Sequence, residues 1–511
     1  MKQIILFIIF TLLIFGQRKD QYSNANIYLT RYGLSATGSA SSNTNAINRA
    51  LAVFGNGTLI VPKGIYNINS VTIPDSITLQ FERGGILKLQ TGDSLVINGD
   101  IQSGLYQIFD TTSRVKLDNA KLPEIYPEWW GAKADRVTRS DIAISKAINS
   151  LYTGYSGWRG DGSDMTGGTV RLSPGTYRCE NTITVSATHF HDYAQTTSMS
   201  IIGAGMQSTT FDFANAPANA DGLYFTDGNY TKLESFRIDH SKGNGLTFKG
   251  TSTVGWSQAC NFHLSLRNFG VWRSAKTGIL LDNCFMIDME RVESRHNGEW
   301  GIRTVTSTTS LAAVSCWAAS NAKDGWSLNN CGYSSLTSCG ADGNSGYGYF
   351  INASQITLNS CGAEANGKTP FYIFGSSGVT LNSCSTFANN TSGFTSDSTA
   401  ASFALIGNLE DIDTKLYVCI NGSTAYETSD AELVHKSLYV IGNGTVVSDN
   451  NNRLGTAGVN KVTASGGIIT TLVRLPTYAN NAAAIAGGLT VGSTYKTPAG
   501  VVMVVYKLSI E

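Results

Sequence analysis

Four cysteines, Cys316, Cys339, Cys361 and Cys384, recur at intervals of 23, 22 and 23 residues. Each is followed five residues later by an asparagine: Asn321, Asn344, Asn366 and Asn389. Counting back 24 residues gives Val292, with Asn297 five further on; another 23 gives Phe269, and Phe236 heads the series. Nine residues after most of these anchors stands a glycine: Gly245, Gly278, Gly301, Gly325, Gly348 and Gly393. Apolar pairs precede the anchors, as in Ile287 and Met289, Ile356 and Leu358, Val379 and Leu381. A period of 22 to 24 residues with a two-residue alternation inside it describes one solenoid coil of short strands. Leucine-rich repeats share the period, but their leucine positions are absent here. The Gly, Ser, Thr and β-branched content disfavours a helical repeat. The expected fold is all-β, a right-handed parallel β-helix. The longer interval between Phe236 and Phe269 implies a looped-out insertion around Thr251–Asn261.

Strands stacked coil on coil lie about 4.8 Å apart, so residues one period apart form ladders. The Phe/Val/Cys column is expected to point inward, where a free cysteine acts as a small hydrophobe. The asparagine column is expected at a tight corner, because asparagine tolerates left-handed backbone and its amide can bond the neighbouring coil. Nine cysteines give an odd count. Parallel side chains one coil apart fall outside disulfide reach, so all are read as reduced core thiols. No CxxC or Cys/His pair has metal-ligand spacing, and no cofactor or metal is expected.

At 511 residues the chain exceeds one ordinary core, as a repeat array would. Only 14% of residues are charged, the formal net charge is zero, and no basic run occurs. That excludes an electrostatic footprint for nucleic acid or anionic lipid, while a polar uncharged surface suits glycans. Lys2 precedes an apolar run from Ile4 to Phe15, too short to span a bilayer and suited to a signal peptide; a short anchor is the other reading. A second repeat lies upstream of the coils. Tyr32-Gly33, a helical stretch over Asn45–Phe54 and Gly55–Tyr66 are echoed by Trp130-Gly131, a helix over Ser140–Leu151 and Gly167–Tyr177. Each copy reads as a capping helix leading into a first coil, which covers core and strand edges at a solenoid end. The organisation expected is an apolar or signal segment at 1–17, an N-terminal cap and first β-helix module at 18–126, and the main β-helix at 127–410. End coils and a linker follow at 411–454, then a C-terminal β segment, for oligomerisation or capping, at 455–511.

The run of aromatic-Gly-Ala, an aspartate, a short helix and GGTVRLSPGTY (Gly167–Tyr177) resembles the pectate lyase superfamily, found in secreted pectinases and bacteriophage tailspikes. The resemblance covers residues 127–400 and, more weakly, 27–125. The family usually reads Asp-Gly after Gly-Ala-Lys, with two acids before the helix. Here Asp135 is followed by Arg136, and Asp141 alone remains. The Asp, His and Gly-His-Gly strings of polygalacturonases are absent. The C-terminal sequence around Thr470–Tyr506 looks like a terminal segment recurrent in phage tail and fibre proteins, with strand residues at Val501–Tyr506. The resemblance implies a polysaccharide-binding and polysaccharide-degrading tailspike-like depolymerase acting on host surface glycan. It also implies a homotrimer, contact with other phage tail proteins, and a location in the virion tail or outside the cell. A secreted bacterial glycoside hydrolase or polysaccharide lyase, and a non-catalytic tail protein or glycan adhesin, remain as alternatives. Neither nucleic acid nor, in the mature form, a membrane is an expected partner.

Candidate site residues follow from strand alternation. Three residues beyond the anchors lie Asp239, Trp272, Arg295, Ala319, Asp342, Glu364 and Phe387; one residue beyond lie Arg237, Glu293 and Trp317. Both positions are expected to face solvent. Glu234, Arg267, Asp288 and Glu290 form a second stripe before the anchors. Sugars stack on tryptophan and paired carboxylates hydrolyse glycosides. Asp342 and Glu364 are therefore the expected catalytic pair, with Glu293 as the other acid and Trp272, Trp317, Arg295 and Asp239 as substrate contacts. GAGMQS (Gly203–Ser208) is read as a turn, and His189–Asp192 as a polar loop.

Overall fold

The computed structural model describes residues 26–117, 122–151, 167–186, 198–228, 230–251, 261–374, 377–390, 476–499 and 501–506, and short strands between 394 and 420. The apolar N-terminal run, residues 152–166 between the second expected helix and Gly167, the His189–Asp192 string, the residues expected to loop out around Thr251–Asn261 (except the two ends) and the linker all lie outside these residues.

The chain is a parallel β-helix whose three faces are built from successive coils. Strands Gly167–Arg171 and Ser198–Ile202 begin the first face, which continues through Lys232–Glu234 to the outer parts of later long strands. The second face runs through Gly175–Arg178, Thr209–Asp212 and Arg237–Asp239 to Trp317–Ala319, Gly340–Asp342, Gly362–Glu364 and Ser385–Phe387. The third runs from Ile183–Ser186 through Leu223–Thr226, Leu246–Lys249, Ile279–Asp282 and Ile302–Val305 to Phe371–Ile373. Upstream, residues 26–117 already form three parallel stacks, such as Gly57–Val61 on Ile77–Phe81 and Gly64–Ile68 on Gly85–Leu89. One continuous apolar core joins the two regions.

Both expected helices are present. Asp141–Leu151 agrees with the sequence reading. Ala40–Val53 starts five residues before the apolar pattern does, because the Ser39 side chain caps it by accepting from the Ser42 N–H. The residues before the second helix explain the departures from the family pattern. Arg136 takes φ 66°, a left-handed conformation where the family uses glycine. The Asp141 carboxylate is engaged by Arg139 at 2.9 Å, the Glu180 N–H at 3.2 Å and the Asn181 amide at 3.2 Å. Its role is structural.

The anchors point inward as expected, and the seven described cysteines with placed side chains are buried. Burial pushes the Cys331 thiol up to about 11. The column changes size along the axis. Phe211, Phe236 and Phe269 pack with ring centroids 5.2 and 5.0 Å apart, and the column then shrinks to Val292 and the cysteines. Across the interior the third face grows in compensation, from Ile279 and Ile302 to Trp326, Tyr349 and Phe371. The Trp326 indole donates to the Gly340 carbonyl at 3.1 Å and the Tyr349 hydroxyl to the Cys339 carbonyl at 2.8 Å. Small anchors thus face large rings, which keeps the cross-section filled.

The asparagine ladder is buried. The Asn344 Oδ1 accepts from the Asn321 backbone N–H at 3.0 Å and from its Nδ2 at 2.8 Å, while the Asn344 Nδ2 donates to Asn366 Oδ1 at 2.9 Å and to the Ala318 carbonyl at 3.0 Å. Asn297, Asn321 and Asn366 repeat the bond to the next amide. The expected left-handed backbone is present one residue earlier, at His296, Ser320, Gly343, Ala365 and Ala388. The asparagine side chains are therefore selected for bridging coils, and the preceding residue makes the corner. The glycine column lies against this ladder: a Cβ at Gly301 would come within 2.6 Å of the Asn321 Nδ2.

At the C-terminus, Thr494–Lys496 and Val502–Val504 pair antiparallel as the expected hairpin, beside a helix over Asn481–Ala486. No helix among the described residues is long and apolar enough to cross a membrane.

Candidate functional site

The register of the second face brings the expected stripe together. Asp239, Trp272, Arg295, Ala319, Asp342, Glu364 and Phe387 occupy one ladder, and Arg237, Gly270, Glu293, Trp317, Gly340 and Gly362 the parallel one. The members differ sharply in what they leave free. Asp239 is only 2% exposed. Arg273 holds its carboxylate from one side at 2.8 Å and Arg237 lies at 3.4 Å, so the expected outward acid is buried in ion pairs. Ala319, expected outward, is also buried.

Trp272 is flanked by two guanidiniums, Arg237 at 4.4 Å and Arg295 at 4.3 Å from its ring centroid. Its ring is a spacer in a cation–π stack rather than an open sugar platform. Arg295 also lies 5.3 Å from the Trp317 centroid and pairs with Glu293 at 2.5 Å. The Glu293 carboxylate is thus engaged on its own strand. In the stripe of Glu234, Arg267, Asp288 and Glu290, Arg267 lies 2.5 Å from Asp288 and 3.8 Å from Glu290, while Glu234 pairs with Lys232 on its own strand.

The end of the stripe is different. Trp317, 37% exposed, lies over Gly340, where a Cβ would come within 2.8 Å of the indole. The missing side chain lets the Trp317 Nε1 donate to Asp342 Oδ2 at 2.5 Å. Asp342 is half-buried and its Cα is paired with that of exposed Glu364 on the next coil. Burial raises the Asp342 carboxyl above its ordinary range; the Trp317 bond opposes this and the Glu364 charge adds to it. Two adjacent carboxyls in unlike surroundings, one sheltered and one exposed, can divide proton donation and nucleophilic attack.

A cleft of about 440 Å³ opens where the second face turns into the third, and it includes none of the expected site residues. Gly346 lies between Lys323 and Lys368 in backbone register, so two lysines flank a gap. Trp300, Arg303, Asp324 and Tyr347 complete its walls. The signal was in the sequence: Glu299, Lys323, Gly346 and Lys368 fall on the same 22–24 residue period, seven residues beyond each anchor. Among the described residues no group of three or more His, Cys, Asp or Glu side chains could hold a metal ion.

Residues 129–395 match the family described as Rhamnogalacturonase A/epimerase, pectate lyase-like. No curated protein sequence matches this chain. Among solved structures it is similar to ORF18 of Geobacillus virus E2, at 14% identity and TM-score 0.45, over 76% of this chain and 86% of that one. It is similar to the A-module of the Azotobacter vinelandii mannuronan C-5 epimerase AlgE4, at 12% identity and TM-score 0.33, over 82% and 100% of the two chains. It is also similar to tailspike protein 2 of the Escherichia coli O157:H7 bacteriophage CAB120, at 14% identity and TM-score 0.43, over 59% of this chain and 43% of that one.

Proposed function

Since this chain belongs to the rhamnogalacturonase A/epimerase, pectate lyase-like family, we propose that it binds polysaccharide along the outside of its β-helix and cleaves it, as a tailspike-like depolymerase of host surface glycan. The observation that carries the reading is the Trp317–Asp342–Glu364 group. Adjacent coils set the two Cα atoms about 4.8 Å apart, close to the roughly 5–5.5 Å carboxyl separation of retaining glycosidases.

In this reading Asp342, sheltered by Trp317, gives its proton to the glycosidic oxygen as that bond breaks. Glu364 attacks the anomeric carbon and forms a glycosyl ester. Water then displaces Glu364 while the Asp342 carboxylate takes the water's proton, which restores both groups. Trp317 offers an exposed edge to the sugar, and the Arg237–Trp272–Arg295 stack holds it in place.

The test is release of reducing ends from a panel of capsular glycans, with absorbance near 235 nm to separate a lyase from a hydrolase. Asp342→Asn and Glu364→Gln should each lower turnover about 100-fold or more while glycan binding survives. Wild-type turnover in both variants would sink the assignment, and a parent that binds glycan without cleaving any of the panel would make the protein an adhesin. The further proposal of a trimeric virion protein draws on the tail-like C-terminal sequence and on its hairpin, where Val501, Val502, Val504 and Tyr506 are more than half exposed.

A further inference from the structure

Phe387 follows Glu364 in the same outward ladder, one coil further on. Its side chain is exposed, at 39%, and among the described residues neither a cation nor another ring lies against it. That sets it apart from Trp272, whose ring is held between Arg237 and Arg295. Its backbone is fixed: the Phe387 carbonyl accepts from the Ala365 N–H at 2.9 Å and from the Asn389 amide at 3.0 Å. A bare apolar ring on a fixed strand can take the C–H face of a sugar.

The neighbouring ladder supplies the room beside it. It runs through Trp317, Gly340, Gly362 and Ser385. The Trp317 indole covers Gly340, but a Cβ at Gly362 would meet only the Ser385 hydroxyl, at 3.8 Å. The surface therefore drops to the backbone beside Glu364, between the indole at one end and the Phe387 ring at the other. These two aromatics stand three coils apart, about 14 Å along the axis, with Asp342 and Glu364 on the coils between them. A trough of that length suits a run of linked sugars lying along the axis. Its charge is negative, since among the described residues neither acid is in an ion pair. An uncharged sugar enters such a site without like-charge repulsion.

We infer that Phe387 is a specificity-determining platform for an uncharged sugar, which sits in the open trough over Gly362 while the bond to the next sugar lies over Asp342 and Glu364. The inference rests on the reading that this face binds and cleaves glycan. Its main readout is binding, so the two can fail separately.

Affinity electrophoresis in gels cast with dextran, galactan, mannan and the neutral members of the capsular panel tests it, with polygalacturonate and alginate as acidic comparisons. At least one neutral glycan should retard the parent about tenfold more strongly than either acidic polymer. Phe387→Ala should weaken retention by that glycan about tenfold, whereas Phe387→Trp, which keeps a flat ring, should stay within about twofold of the parent. The Gly362 backbone lies outside the left-handed region, so Gly362→Leu should fill the trough and abolish retention at an unchanged melting temperature. On a glycan that is cleaved, Phe387→Ala should raise KM about tenfold and change kcat little. Parent-like retention of both Phe387→Ala and Gly362→Leu overturns the inference, as does retention by the acidic polymers alone or by no glycan at all. Retention that these variants weaken, in a parent that cleaves nothing, removes the catalytic pair and leaves the platform standing.

Discussion

Asp342 shows how a residue at the surface of a solenoid acquires special chemistry: a glycine two positions away lets a tryptophan fold down beside it. The raised carboxyl has a sign that can be checked in two ways. The folded protein disfavours the charged form, so Asp342 costs stability once pH exceeds its ordinary value of 3.8, with the full penalty above its raised value. Asp342→Asn should therefore melt at or above the parent at pH 7, and the gap should close as pH falls below about 4. A lower melting temperature at pH 7 would contradict the burial argument. Trp317→Phe keeps the ring but removes the N–H that favours the carboxylate. The alkaline limb of the pH–activity profile should then move to higher pH. The core gives a second residue-scale case. Cys339 faces Tyr349 and is 2% exposed. Cys339→Ala should cost roughly 1–2 kcal/mol, whereas Cys339→Asp should unfold or insolubilise the protein by burying an unpaired charge. Parent-like melting of Cys339→Asp would mean that the column does not face the core.

At the scale of the coil, stability is carried by ladders rather than by single contacts. Asn344→Ala would leave the Asn321 backbone N–H without its acceptor and remove the side-chain bonds to Asn321 Nδ2, Asn366 Oδ1 and the Ala318 carbonyl, and should cost about 3 kcal/mol or more in chemical denaturation. Asn389→Ala, at the partly exposed end of the ladder, should cost less. The coil was legible in the sequence because stacking forces like residues into register: the Cys, Asn and Gly columns could be counted directly. Two features were not legible. The second left-handed corner, before each anchor, is carried by Ser235, Asn268, Arg291, Ser315, Ser338, Ser360 and Ser383, which apart from Asn268 are residue types that do not advertise positive φ. Outward side chains were also placed by alternation alone, which fixes direction but not partners. Asp239, Glu293 and Trp272 lie in the two expected ladders, yet neighbouring arginines engage all three. The Gly346 cleft was missed for the opposite reason, because its defining residue is an absent side chain between two lysines.

For the whole molecule, three faces and few surface charges leave extended polar sides, and most of the exposed apolar residues of the described C-terminal segment, Ile485 and Val491 apart, lie on or beside the second strand of its hairpin. Tyr495 and Val505 are buried in a small core of their own, while Val501, Val502, Val504 and Tyr506 remain outside it. A free two-stranded hairpin is marginal in water, so a strand with alternating and exposed valines gains from a further surface. A closed ring of identical chains satisfies that need symmetrically. The full-length mature chain should therefore run as a homotrimer in light scattering, and truncation after about Asn450 should give monomers whose β-helix still melts cooperatively. Val502→Lys with Val504→Lys should weaken the trimer without lowering the melting temperature of the solenoid, since neither residue touches its core. A stable full-length monomer would remove the structural support for a tail protein and leave the secreted enzyme as the better reading. A trimer that survives truncation would place the contact on the solenoid faces, where it would compete with glycan for the same surface.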